Sequence, residues 1–202
     1  MAGRVRDPLV GRDLLIGGLV GVSIISINYL SALIPRWMGS APAAPRSINF
    51  DTLMGGRRLF GMLFSMQVES LVSGFGTMIL VLLFYLLVRR EWLAVAGVWL
   101  LLTIMRLLGD RVDSLAQVFS VALGMALFIF VLMRYGLLAG VASQFFIWLW
   151  NYPLTADFSA WYAGSGIFAI IIGAGLAFYG FYTSMARRAL SLKDPRVTDA
   201  AS

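Results

Sequence analysis

The sequence predicts an all-α fold: a polytopic bundle of about six transmembrane helices. Of the 202 residues, 60% are hydrophobic and only 13% are charged, whereas soluble domains carry about 25% charged residues. The chain also contains a series of long apolar runs, of which the clearest covers residues 70–88 and ends at Arg89. A helix of about 20 apolar residues crosses the ~30 Å hydrocarbon layer of a bilayer. Runs of this length therefore indicate membrane spans.

Short polar connections divide the chain. Residues 1–13 form a basic cytoplasmic lead-in, residues 14–188 the transmembrane domain, and residues 189–202 a cytoplasmic tail. Asp13 is the candidate N-cap of the first span, because aspartate accepts backbone hydrogen bonds at that position. The proline-rich residues 35–51 form the longest loop. The predicted spans are residues 14–34, 70–88, 92–108, 115–133, 137–150 and 161–185.

An amphipathic segment precedes the second span. In residues 52–64 the large apolar side chains can share one helical face, with Arg57 and Arg58 largely off it. This pattern is typical of an interfacial helix, and we expect one before span two. The pattern leaves open whether residues 52–69 are interfacial or part of a long second span. The two arginines suit lipid headgroups, or alternatively a phosphate or carboxylate.

The positions of the basic residues predict that both termini are cytoplasmic. More of the 16 basic residues lie in the segments that this orientation places inside, as the positive-inside rule requires. The net charge of +6 arises at the ends of apolar segments, so we expect contacts with lipids and none with nucleic acid. The loop of residues 151–164 is rich in Tyr and Trp and is expected at headgroup level. The candidate headgroup contacts are Arg57, Arg58, Arg89, Arg90, Arg187 and Arg188.

The chain contains no Cys and no His. Thiolate nucleophiles, His-ligated zinc or haem and Ser–His dyads on this chain are therefore excluded. The four candidate carboxylates for acid–base chemistry lie on three separate segments: Glu69, Asp110, Asp113 and Asp157. No Walker A loop or kinase catalytic motif is present. We expect no enzymatic activity, no catalytic residue, no cofactor and no metal.

Glu69 and Arg106 are a candidate intramembrane polar pair. Spans two and three are antiparallel, so the start of one and the end of the other lie at one level. An ionisable residue inside a membrane is a functional hypothesis by default. A structural or snorkelling pair at the interface is the alternative, and we favour it.

Small and polar residues inside the spans predict helix–helix contacts. Gly17 and Gly21 have small-xxx-small spacing in span one, and Gly173 and Ala177 repeat it in span six. Such residues let helix backbones approach closely. For Asn28 we favour an interhelical hydrogen bond over a place in the lining of a polar pathway.

Several stretches resemble a known family: RDPLVGRDLLIG (residues 6–17), LLVRREWLA (86–94), RYGLLAG (134–140), YPLTADFSAWYAG (152–164) and YGFYTSMA (179–186). Together they resemble the C-terminal multi-span membrane region behind the catalytic domain of bacterial, notably acidobacterial, serine/threonine protein kinases. This chain departs from that architecture because it carries no kinase domain. The resemblance implies a membrane module related to a sensor or anchor, without phosphoryl transfer.

The leading functional hypothesis is a non-enzymatic module of the bacterial inner membrane that acts as an anchor, scaffold or sensor. It would act alone or as an accessory subunit, with membrane lipids and with other membrane subunits or a second copy as partners. A small transporter or channel is the second hypothesis, and an intramembrane enzyme is the third. Polar residues converging on one water-accessible cavity would favour transport. The candidate lining of such a route is Asn28, Gln67, Glu69, Arg106, Gln117 and Gln144.

Overall fold

The computed structural model describes residues 7–37, 39, 56–109, 114–150, 152, 157, 159 and 162–191; for residues 36 and 186–191 it describes the backbone alone. The described residues form six helices and no strand, which confirms the predicted all-α fold. The helices are α1 (Pro8–Trp37), α2 (Gly56–Val88), α3 (Glu91–Gly109), α4 (Leu115–Tyr135), α5 (Leu137–Leu149) and α6 (Ala163–Ser191).

Five of these helices, all but α5, are long and apolar enough to cross a membrane. The chain is therefore a multi-pass helical membrane protein by the length and composition of its helices. The exception, α5, has only 13 residues, which correspond to about 20 Å at the helical rise. This length covers roughly two thirds of a ~30 Å hydrocarbon layer.

The first helix begins earlier than predicted. The backbone N–H of Leu9 donates to Asp7 Oδ1 at 3.0 Å, so Asp7 caps α1. Pro8 takes the first helical position, where its missing N–H leaves no bond unmade. The expectation that Asp13 is the cap is wrong, because this residue lies inside the helix and its Oδ1 is 2.9 Å from the Arg12 guanidinium. At its other end α1 continues through Pro35 to Trp37.

The second helix is one continuous element of 33 residues. Of the two alternatives for residues 52–69, residues 56–69 follow the second, because they continue without a break into span two. No proline interrupts residues 56–88, and an established helix propagates cooperatively. Residues 52–55 lie outside the described residues. A 33-residue helix is about 50 Å long. It therefore has to tilt or to extend beyond the hydrocarbon layer.

Two tight turns make consecutive helices antiparallel. Arg89 joins α2 to α3 with a positive φ of 56°, and its N–H donates to the Tyr85 carbonyl at 2.8 Å. Gly136 alone joins α4 to α5, with φ 94° and ψ −178°. This backbone region is essentially restricted to glycine.

The first helix is central to the bundle, where it contacts α4, α5 and α6. Gly21 faces α5 so closely that an added Cβ would lie 2.6 Å from the Ser143 carbonyl oxygen. Gly11 faces α6, and its added Cβ would lie 2.6 Å from the Gly180 carbonyl oxygen. At both points two helix backbones nearly touch.

Two clusters of buried side chains form the core. One lies where α1, α3 and α4 meet, and the other joins α2 to α5, α6 and the segment between them. The first contains Ile24, Val98, Phe128, Ile129 and Leu132. The second contains Met66, Phe145, Leu149, Tyr152 and Ala169.

We predict that Gly21→Ala destabilises the protein, whereas Gly76→Ala does not. The new methyl group in α1 would force α1 and α5 apart, and overpacking of this kind costs about 1–3 kcal/mol. At Gly76 of α2 nothing lies within 4 Å of an added Cβ, and alanine is the better helix former by about 1 kcal/mol. Thermal unfolding in detergent micelles measures both effects. Equal melting temperatures would show that the α1–α5 contact is not tight.

Candidate functional site

A buried hydrogen-bonded cluster links α1 to α4. The Ser120 hydroxyl shares its proton between Asn28 Oδ1 at 3.2 Å and the Gln117 carbonyl of its own helix at 2.9 Å, and the Ser31 hydroxyl lies 3.1 Å from Ser120 Oγ. Both serines are buried. The interhelical hydrogen bond predicted for Asn28 is therefore present, and its partner is Ser120.

Two further polar side chains bond across other helix pairs. Gln144 of α5 donates from Nε2 to the Ser73 hydroxyl of α2 at 2.9 Å. Trp99 of α3 donates from its indole N–H to the Ala122 carbonyl of α4 at 2.9 Å. Each bond joins neighbouring helices locally.

The candidate pair of Glu69 and Arg106 is not joined in this structure. Both side chains are exposed, and among the described residues neither a salt bridge nor a hydrogen bond connects them. The reason lies in the helix faces. The buried face of α2 runs through Met66, Ser70, Gly74 and Thr77, and Glu69 lies outside that row. Arg106 likewise lies outside the buried positions of α3.

The six polar residues proposed for a transport route are dispersed. Asn28 belongs to the α1–α4 cluster, and the Gln117 carbonyl of α4 accepts from Ser120 at 2.9 Å beside it. Gln144 lies between α5 and α2. The remaining three are exposed on the outside of the bundle: Gln67, Glu69 and Arg106.

The candidate headgroup residues lie at helix ends where the structure describes them. Arg57 and Arg58 are exposed at the start of α2, and Arg89 and Arg90 are exposed in the turn that follows it. Their contact with lipid stays a prediction. The side chains of Arg187 and Arg188 lie outside the described residues.

The small residues have unequal environments. Gly17 and Gly21 lie against α5. Gly173 is half-buried, and its added Cβ would lie 3.1 Å from Leu149 Cδ2 of α5. Ala177, in contrast, is exposed. The tight contact between α1 and α6 is made instead at Gly11. This residue lies in the predicted lead-in before the first span.

Tyr152 connects the segment after α5 to the start of α2. Its hydroxyl donates to the Leu59 carbonyl at 3.0 Å, and its ring packs edge-to-face on Phe168 with centroids 6.2 Å apart. Burial raises the pKa of the Tyr152 phenol, so the group stays a neutral donor. Tyr152 is only 2% exposed. Tyr152 is thus buried between α2 and α6, and the headgroup-level position of the aromatic loop stays a prediction.

An apolar cavity of about 560 Å³ lies between α1, α5 and α6. Its lining includes Ser26 and Tyr29 of α1, Phe146 of α5 and Gly173 of α6, together with Trp150. No charged residue is among the lining residues. The Ser26 hydroxyl donates to the Val22 carbonyl of its own helix at 2.9 Å, so it is already satisfied.

Comparison of the chain with known protein families, curated proteins and solved structures finds no match. The resemblance to the kinase-associated membrane region stays a prediction. Within the described residues, no group of three or more acidic side chains is placed to hold a metal ion. The polar pairs, the exposed helix faces and the cavity are therefore the features from which a function can be inferred.

We predict that Tyr152→Phe lowers the free energy of unfolding by about 0.5–1.5 kcal/mol, the usual net contribution of one hydrogen bond. The matched control is Tyr85→Phe, at an exposed position of α2, where surface substitutions change stability by less than about 0.5 kcal/mol. Thermal unfolding of both variants in the same detergent measures the difference. If the two variants have the same melting temperature, the bond to Leu59 does not hold the segment to α2.

Proposed function

We propose that this chain is a non-enzymatic membrane module that anchors, scaffolds or senses through helix packing, alone or as an accessory subunit of a larger complex. The observation that carries the proposal is the local pairing of polar side chains that are buried or half-buried between helices. Asn28 bonds to Ser120 and Gln144 to Ser73, in two separate places. Such pairs position helices.

The energetics support a packing role for these bonds. An interhelical hydrogen bond in a membrane contributes about 0.6–2 kcal/mol. A transport route would instead need polar groups that face a shared water-filled space. The 560 Å³ cavity between α1, α5 and α6 has an almost entirely apolar lining, and Asn28 and Gln144 are not part of it.

The outer face of α2 favours a protein partner. Gln67 and Glu69 are exposed there among apolar side chains, of which Val68 and Val72 are 58% and 66% exposed. A carboxylate on a hydrocarbon-facing surface is costly unless a neighbour supplies a donor or a cation. A helix of another subunit with such a group would relieve that cost. This face is therefore a candidate subunit interface.

Two further parts of the proposal have separate support. The exposed arginines at the ends of α2 suit anionic lipid headgroups. The assignment to the bacterial inner membrane and the link to signalling come from the resemblance described above.

The partner interface can be tested by site-specific photocrosslinking in cells. A photoreactive phenylalanine analogue at Phe75, which is 50% exposed on α2, is expected to capture one protein species at fixed stoichiometry. The matched control is Phe178 of α6, which is 71% exposed and is expected to give lipid adducts only. Glu69→Gln should reduce the yield at Phe75 severalfold. Equal adduct patterns from the two sites would contradict the interface on α2.

The alternative of a transport route can be tested by cysteine labelling, because the native chain contains no Cys. We expect Ser73→Cys and Ser120→Cys to react at least tenfold more slowly with a membrane-impermeant maleimide than Ser159→Cys. Ser159 is exposed, whereas the other two positions lie between packed helices. Labelling at similar rates would reveal water at the polar pairs. The scaffold proposal would then give way to a transporter or channel.

A further inference from the structure

The geometry points to a lipid site: the cavity between α1, α5 and α6 binds the hydrocarbon chain of a membrane phospholipid. This site is additional to the proposed scaffold role and does not depend on it.

The cavity arises from the way α6 crosses α1. The two helices nearly touch at Gly11 and Gly180. Further along, residues 22–30 of α1 and residues 169–173 of α6 line opposite sides of the cavity. α5 cannot fill the gap because it ends at Leu149. The space therefore lies away from the glycine contact, between these two stretches of helix.

The chemistry of the walls selects an apolar occupant. The lining has almost no polar surface and no charged side chain, and the Ser26 hydroxyl is bonded to its own helix. A polar ligand would lose its hydration here without gaining hydrogen bonds. A hydrocarbon chain has no hydrogen bonds to water that it would lose on entering. It is also the medium that surrounds helices of this length and composition.

The size of the cavity favours a flexible chain over a partner helix. About 560 Å³ lies within the roughly 300–1,000 Å³ range of small-molecule sites. A helix about 10 Å wide would fill roughly 1,200 Å³ over ten residues. The cavity therefore has less volume than a ten-residue helix needs, and it can accept one acyl chain.

Two aromatic side chains form a rim suited to a headgroup. The rings of Tyr29 and Trp150 meet edge-to-face with centroids 5.1 Å apart. Both belong to the lining, and they are 52% and 42% exposed. Tyr and Trp prefer the boundary between hydrocarbon and headgroups, where the phenol and the indole N–H can meet polar groups. A lipid with its chain in the cavity would place its ester region beside this pair.

The test uses the full chain purified in a mild detergent, with a phosphatidylcholine that carries a diazirine in one acyl chain. Photolabelling is expected to saturate, to map by peptide mass spectrometry to the lining residues, and to be displaced by unlabelled phosphatidylcholine. Ser26→Phe and Gly173→Leu fill the cavity from opposite walls, and each should reduce labelling at least fivefold. Gly175→Leu is the matched control on α6, since nothing lies within 4 Å of its added Cβ; its labelling should not change.

Three results would overturn the site. The first is labelling that rises without saturation and spreads over exposed faces such as that around Phe178. The second is full labelling of both cavity-filling variants. The third is a crosslink that shows a side chain of a second copy or another protein in the cavity. If a filling variant fails to fold by size-exclusion chromatography, saturation and displacement in the wild-type chain still decide the question.

Discussion

The close approach of α1 to two neighbours is the contact on which the rest of this bundle depends. In hydrocarbon the helices gain nothing by hiding apolar side chains from the solvent, so association relies on van der Waals contact and interhelical hydrogen bonds. Gly17 and Gly21 bring the α1 backbone against α5, and Gly11 brings it against α6. Side chains at these positions would separate the helices and remove those contacts.

The same packing produces both the polar pairs and the cavity. With α1 held centrally, Asn28 reaches Ser120 of α4, and the bond is shielded from water. The helices α1, α5 and α6 also leave a cavity between them, because α5 ends at Leu149.

The contacts that sequence reasoning missed are those between residues far apart in the chain. Tyr152 and the Leu59 carbonyl are separated by 93 positions, and no local pattern marks the tyrosine as buried. Its expected place at headgroup level came from a rule for exposed aromatic side chains, whereas the structure shows its ring packed on Phe168. Glu69 and Arg106 are a different case, because the two side chains were candidates for a pair and are not joined. Their equal level in antiparallel helices was a sound inference, but level alone does not fix the direction in which a side chain leaves its helix.

The sequence by itself determined that this chain forms apolar helices and approximately where five of them cross a membrane. A helix in hydrocarbon satisfies its own backbone hydrogen bonds, so composition and length along one segment are sufficient evidence. The early start of α1 depended on Asp7 and Pro8, a local signal that was present but assigned to the lead-in. Only the tertiary structure decided which polar side chains meet and where the cavity lies. Those features depend on the rotation and tilt of each helix, and these are set by packing between distant segments.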